Sequence, residues 1–271
     1  MAGSDVLKYE VDGRKVTITI NRPEAMNALN TAVMDSLEEA FQAYNDDDNL
    51  LVAILTGEGG RAFSAGADLK AMASGQLGQP TSTTKSAYPK RATTRANLRG
   101  FNAVDRSAKP VIAAIDGHCV AGGFELALYS DIRIATEKSK FGLPEPRRSL
   151  LAGPGLINLS RMIPMGEALR MQLTGSPIDA ARAYQIGLIS EVVADRDVLF
   201  ERANAIADEI LECAPLAVQY IKRIVKEGRD LPLDAQWRFS EMFSAAIFET
   251  EDVKEGPLAF AEKRKPNWQM R

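Results

Sequence analysis

What this sequence lacks narrows its chemistry before any motif is read. Its 271 residues include one histidine, His118, so a multi-histidine metal site is excluded and a Ser-His-Asp or Cys-His enzyme would have a single imidazole to use. Proton transfer then falls mainly to carboxylates, Lys, Tyr or Cys. The two cysteines, Cys119 and Cys213, stand far apart and in no CxxC cluster, which suggests neither a disulfide framework nor a zinc site and fits a reducing cytoplasm. No run of about 18 apolar residues occurs, as a membrane span would need, and the opening MAGSDVLKYEVDGRK has no apolar stretch of the signal-peptide kind. Export and membrane insertion are therefore not expected. Charge of one sign is also missing: 33 Lys plus Arg against 36 Asp plus Glu leave a net −3, with no whole-chain attraction for nucleic acid or an anionic membrane. Neither a G-x-x-x-x-G-K-[ST] loop nor a G-x-G-x-x-G fingerprint occurs, which argues against nucleotide hydrolysis and dinucleotide redox chemistry.

What is present is an ordinary globular composition, 45% hydrophobic and 25% charged, in a chain long enough to bury a substantial core. Residues 6–11 and 15–20 flank Asp12-Gly13 and predict an antiparallel hairpin. Asn30 or Thr31 can cap a helix that carries Val33, Leu37, Ala40, Phe41 and Tyr44 at helical spacing, and the buried strand LLVAILTG follows. The alternation continues: helix at about 91–106, strand 110–116, helix 122–130, strand 131–136, helices to 186 and strand 188–193. Such βα alternation predicts an α/β fold with a mainly parallel sheet. Residues 73–90, rich in Gly, Ser, Thr and Pro, predict a mobile or functional loop. From Asp195 onward the pattern is only helical, at roughly 195–212, 214–227 and 232–249, followed by a basic tail. The expected division is an α/β core over 1–194 and a helical subdomain over 195–271.

Three motifs carry chemistry. Ala62-Phe63-Ser64-Ala65-Gly66-Ala67-Asp68 follows a strand and the turn Gly57-Glu58-Gly59-Gly60; its small residues let a ligand approach the backbone, and the Ala67 amide is a candidate donor at a strand-to-helix passage. In the second motif, residues 110–126, a buried strand passes through Gly122-Gly123 into a helix, exposing a second candidate amide at Gly122 and placing Glu125 in the first helical turn. Two such turns from neighbouring strands could surround one carbonyl oxygen as an oxyanion hole. The third motif is Leu143-Pro144-Glu145-Pro146, where two prolines fix the backbone around a carboxylate. Taken singly, each also reads as a tight loop, a plain helix-start glutamate or a surface acid.

Together they resemble the crotonase (enoyl-CoA hydratase/isomerase) superfamily, and the similarity runs from NRPEAMNALN at 21–30 to AFAEKRKPNW at 259–268. The resemblance implies a spiral of ββα units with a C-terminal helical region, trimers usually paired into hexamers, and an acyl-CoA substrate in lipid metabolism with no separate cofactor or metal. It matches Ala67 and Gly122 to the oxyanion-hole amides and Glu125 and Glu145 to the two catalytic carboxylates. Ala28, Ala65, Gly66, Asp68, Leu69 and Lys70 fall on the CoA and acyl path. Phe260 and Lys263, with Arg264 and Lys265, fall on a tail that can reach a neighbouring subunit's ligand. Keeping both acids favours water addition to an enoyl-CoA, with a carnitinyl-CoA-type dehydratase or an enoyl-CoA isomerase as rivals. Two departures from the family pattern are Phe124 beside the first glutamate and the interrupted Gly153-Pro154-Gly155. Further alternatives are a serine hydrolase built on Ser64 in A-F-S-A-G, with His118 as its base, and a non-catalytic binding protein. His118 has no obvious partner and is expected to be a packed or hydrogen-bonded structural residue.

Overall fold

A computed structural model describes residues 3–68 and 99–270. The 73–90 loop, residues 91–98 of the expected helix, Leu69 and Lys70 lie outside them.

The chain opens with β1 (Leu7–Asp12) and β2 (Lys15–Ile20), paired antiparallel from Leu7↔Ile20 to Asp12↔Lys15 across the left-handed Gly13. Helix α1 (Thr31–Asp46) is capped by the Asn30 side chain, which accepts the Val33 amide at 2.9 Å, and it buries the expected stripe Val33, Leu37, Ala40, Phe41 and Tyr44. There follow β3 (Val52–Gly57), β4 (Ala62–Ser64), α2 (Arg99–Asp105), β5 (Val111–Ile115), β6 (His118–Val120), α3 (Gly122–Tyr129), β7 (Ile132–Thr136) and β8 (Lys140–Gly142). A short 3-10 turn at Glu145–Arg148 precedes α4 (Pro154–Met162), α5 (Met165–Thr174), β9 (Ile178–Asp179), α6 (Ala180–Gln185) and β10 (Glu191–Val193). Helices α7 (Arg196–Leu211), α8 (Pro215–Gly228), α9 (Leu233–Phe248) and α10 (Asp252–Glu262) complete it.

Each repeat divides its strands between two sheets. The larger has the order β1-β2-β3-β5-β7-β10 and is parallel except for the first hairpin; the smaller has the order β4-β6-β8-β9. Thus β3, β5 and β7 enter the large sheet, while β4, β6 and β8, their immediate successors, pair in parallel in the small one. The ββα spiral is visible in this alternation, and it makes the segments after β4, β6 and β8 neighbours.

Alternation within the large sheet builds its two faces. Ala53 and Leu55, with Val111, Ala113 and Ile115, join the main core with α1; Val52 and Ile54, with Ile112, Ala114 and Ile134, pack on Leu199, Ala203 and Ala207 of α7. After Val193 the described chain is helical, yet α7 covers the sheet directly. The basic tail expected after 249 is instead largely helix α10. Gly256-Pro257 breaks the helical pattern in sequence, but Asp252 accepts the Gln269 and Met270 amides and Ala259 is buried, so tertiary contacts hold the helix.

Candidate active site

The three motifs emerge from the C-terminal ends of three adjacent parallel strands, β4, β6 and β8, and this register brings distant sequence together. After β4, residues 65–68 run beside 26–29: the Ala65 amide donates to Met26 O at 3.0 Å, Leu29 to Gly66 O at 2.8 Å and Asp68 to Leu29 O at 3.1 Å. The Ala67 amide faces away from this bridge. Neither it nor the Gly122 amide makes a backbone hydrogen bond among the described residues. The two lie close: a methyl group on Gly122 would stand 3.5 Å from the Ala67 nitrogen, and one on Gly66 would stand 2.7 Å from the Gly122 nitrogen.

Ala121 aims the second amide. It sits at φ 52°, ψ −135°, a conformation that L-residues rarely adopt, with its own amide tied to Gly142 O at 2.9 Å. This rotation starts α3 abruptly and leaves Gly122 at its first turn. Gly123 then has to be glycine, since a Cβ there would meet Ser64 O at 2.3 Å.

Glu125 lies in that first turn and is only 6% exposed. Its Oε1 accepts the Gly155 amide at 2.8 Å, at the start of α4, where Pro154 has no N–H to offer. Burial pushes the carboxyl up, the Gly155 and Gly153 amides pull it back, and the charge of Glu145 pushes it up again, leaving it at about 7. Glu145 opens the 3-10 turn after β8. Its Oε2 is buried without a hydrogen-bond partner among the described residues, and burial raises its pKa above the ordinary carboxylate value against opposing pulls from its own amide and from Arg148. Both carboxyls thus hold a proton more readily than an ordinary carboxyl, and Glu125 lies one helical turn from the Gly122 amide. Such a pair can trade one proton near neutral pH while the amides hold a developing oxyanion.

Ala28 is nearly buried, and its carbonyl accepts from Arg22 Nη1 at 2.7 Å; the same guanidinium reaches Asp68 Oδ2 at 3.2 Å. Asp68 is therefore engaged by Arg22, which pins the 26–29 segment to the motif after β4. Arg22 and Asn27 escaped the sequence reading. Asn27 is fully buried and donates to Glu58 O and Ala62 O, and its only sequence signal was an Asn within a turn-rich run.

At the tail, Phe260 is 87% exposed, and Lys263 caps α10 in a left-handed conformation. Arg264 is committed to Glu255 and Glu262, and Lys265 approaches Glu212 at 3.8 Å. Of the three basic residues expected to meet phosphate, Lys263 is the one without an ion-pair partner among the described residues. Near Glu145, Arg147 is held by Thr174 O and Ser176 Oγ. Phe124 does not line the site; its ring is buried against Phe141 at 5.8 Å.

Other expectations are not met. Ser64 is fully buried with its Oγ accepting the Gly66 amide at 3.2 Å, whereas His118 is exposed on β6 rather than packed, so the pair has no nucleophile–base arrangement. The reason for the His118 outcome is strand alternation: its neighbour Cys119 takes the buried face. Among the described residues, no cluster of three or more His, Cys, Asp or Glu side chains is placed to hold a metal ion. A cleft of about 1090 Å³ lined by Gln42, Asn102, Lys109 and Gln219 includes none of the candidate residues.

Comparison with known proteins gives the same picture over the whole chain. The sequence model described as enoyl-CoA hydratase/isomerase matches residues 14–271. Enoyl-CoA hydratase EchA19 of Mycobacterium tuberculosis is 40% identical over 100% of this chain and 98% of its own. The (E)-benzylidenesuccinyl-CoA hydratase of Thauera aromatica is 38% identical over 95% and 96%. Among solved structures, enoyl-CoA hydratase EchA1 from Mycobacterium marinum superposes with a TM-score of 0.87 at 39% identity, over 99% of this chain and 100% of that one. The enoyl-CoA hydratase from Bacillus anthracis gives 0.88 at 32% identity, over 98% and 100%. With the family's sequence model matched over residues 14–271 and solved structures of the family superposing over 98–99% of it, the chain belongs to the enoyl-CoA hydratase/isomerase family and has the crotonase fold.

Proposed function

We propose that this protein is an enoyl-CoA hydratase, adding water reversibly across the α,β double bond of an enoyl-CoA thioester to give a 3-hydroxyacyl-CoA. The observation that carries this reading is the buried Glu125 carboxyl, raised to about 7, set one turn from the unbonded Gly122 amide. The relatives' names, hydratases together with carnitinyl-CoA dehydratases of Salmonella, describe water addition and its reverse.

In the forward direction the thioester oxygen accepts hydrogen bonds from the Ala67 and Gly122 amides. Glu125, ionised, takes a proton from water as its oxygen bonds to Cβ. The π electrons move to the thioester, where the two amides stabilise the enolate, and Glu145, protonated, delivers its proton to Cα. Atoms balance as one water added; the proton gained by Glu125 and lost by Glu145 returns by exchange between the acids or with solvent. Gly155 holds Glu125 in place through the 2.8 Å hydrogen bond. No step calls for a group beyond the CoA ester and water.

The CoA portion runs over Ala28, Ala65, Gly66, Asp68, Leu69 and Lys70, with Phe260 and Lys263 meeting it from a neighbouring subunit of a trimer or hexamer. Support for the last point is the exposure of Phe260 beside Lys263, which has no ion-pair partner among the described residues. Two unpaired cysteines fit a cytoplasmic setting. The test is to add short, medium and branched enoyl-CoA esters and follow the conjugated-enoyl absorbance, identifying the product by mass. Loss of absorbance with a gain of one water is expected; an unchanged mass with a shifted double bond would mean isomerisation instead.

A further inference from the structure

Glu145 stands just past the point where β8 stops pairing. The ladder between β8 and β9 is antiparallel, with Lys140 opposite Asp179 and Phe141 opposite Ile178, and the same register continued would set Gly142 against Pro177 and Pro144 against Gly175. The two segments do stay close. A methyl group on Gly142 would stand 3.0 Å from Pro177 Cα, and one on Gly175, at φ 62°, would stand 3.2 Å from Pro144 Cα. Backbone pairing cannot go on there, because Pro144, Pro146 and Pro177 have no N–H to donate. Arg147 takes over: its Nε donates to Thr174 O at 2.9 Å and its Nη2 to Ser176 Oγ at 2.7 Å. Both acceptors are neutral, so the guanidinium serves here as a planar fork of donors rather than as a counter-ion. Its aliphatic stem lies over Gly175, where a Cβ would meet Arg147 Cγ at 3.1 Å. The turn held in this way is the one that Glu145 opens, closed by the Arg147 amide on Pro144 O and the Leu150 amide on Glu145 O, each at 3.1 Å.

Resting on the hydratase reading above, we infer that Arg147 is a positioning residue for Glu145: it clamps the 3-10 turn to the segment that ends α5, and so fixes the face of Cα to which Glu145 delivers its proton. Without the clamp the turn has no backbone ladder to hold it against that segment, and a small displacement of the carboxyl is enough to slow proton transfer.

The experiment compares wild type, Arg147→Lys and Arg147→Gln in two ways. Hydrogen exchange of the free protein, resolved by residue, should show the Leu150 amide at least about tenfold less protected in Arg147→Gln, with the amides of β5 unchanged. Turnover of one enoyl-CoA ester in D2O adds OD at Cβ and one deuterium at Cα. Wild type should place that deuterium on a single face. Arg147→Gln should lower kcat about tenfold or more at a KM within about twofold, and should give deuterium on both faces as solvent competes with a displaced Glu145. Arg147→Lys, with one ammonium for two acceptors, should fall between the two. A general loss of stability would lower the active fraction without mixing the faces. Unchanged protection of Leu150 would overturn the inference whatever the activity, and so would single-face deuteration in a variant whose turn is loosened. A wild type that turns over no enoyl ester, with Leu150 still loosened in Arg147→Gln, would sink the hydratase reading and uphold Arg147 as the residue that holds Glu145.

Discussion

In the proposed reaction Glu125 is the base, and its environment contains opposing pulls of which burial is the largest. Burial favours the acid most strongly, two amides at the start of α4 favour the carboxylate, and the neighbouring charge of Glu145 adds a smaller push toward the acid, leaving the group at about 7. A base in that position is ionised enough to take a proton from water and basic enough to hold it. The sign of the Glu145 contribution gives a testable consequence. When both acids can ionise, the Glu145 charge raises the Glu125 pKa, and Glu145→Gln removes that charge, so the titration profile of the Glu125 carboxyl in the free protein, followed by NMR, should move to lower pH in the variant. A profile that stays put, or moves up, would mean that the two carboxyls are not coupled in this way. The interaction belongs to the pair, and macroscopic titration will report it as such.

At the scale of elements, the site depends on the close approach of two turns, one after β4 and one after β6. Gly66, at φ 86°, has no room for a side chain: a Cβ would meet Ala121 Cβ at 2.5 Å and the Gly122 nitrogen at 2.7 Å. Gly66→Ala should therefore displace the Gly122 amide and cut kcat by about 100-fold or more, the cost of losing one oxyanion donor, while circular dichroism remains near wild type. Wild-type kcat in a folded Gly66→Ala protein would show that the amide pair is not the oxyanion site. The glycines were legible in the sequence as places of close backbone approach, as were α1, the hairpin and the large-sheet strands, whose periodicity is strong. The three-residue strands β4, β6 and β8 were not, since three residues carry no alternation to read, and their pairing is what joins the motifs. Ala121 was likewise invisible: its strained backbone is imposed by Gly142 O and the start of α3, with no compositional sign.

At the scale of the whole molecule, the core sits between α1 and α7 on either face of the large sheet, and the C-terminal helices end with a fixed tail. Arg264 is held by Glu255 and Glu262 and Lys265 stands 3.8 Å from Glu212, so of the three basic residues Lys263 is the one proposed to meet phosphate. Lys263→Ala should raise the KM for CoA esters several-fold and weaken its dependence on salt, with kcat little changed. An unaltered KM would remove the tail from the CoA site. The family resemblance pointed to the two acids and both amides by position, and the pairing of β4, β6 and β8 brings the turns that carry them side by side.

The most direct measurement takes wild type, Glu125→Gln and Glu145→Gln together and determines turnover of one good enoyl-CoA ester alongside the affinity for a saturated analogue. Two-carboxylate water addition predicts that each substitution lowers kcat by about 100- to 10,000-fold with binding nearly intact. Near-normal turnover in either variant would contradict it.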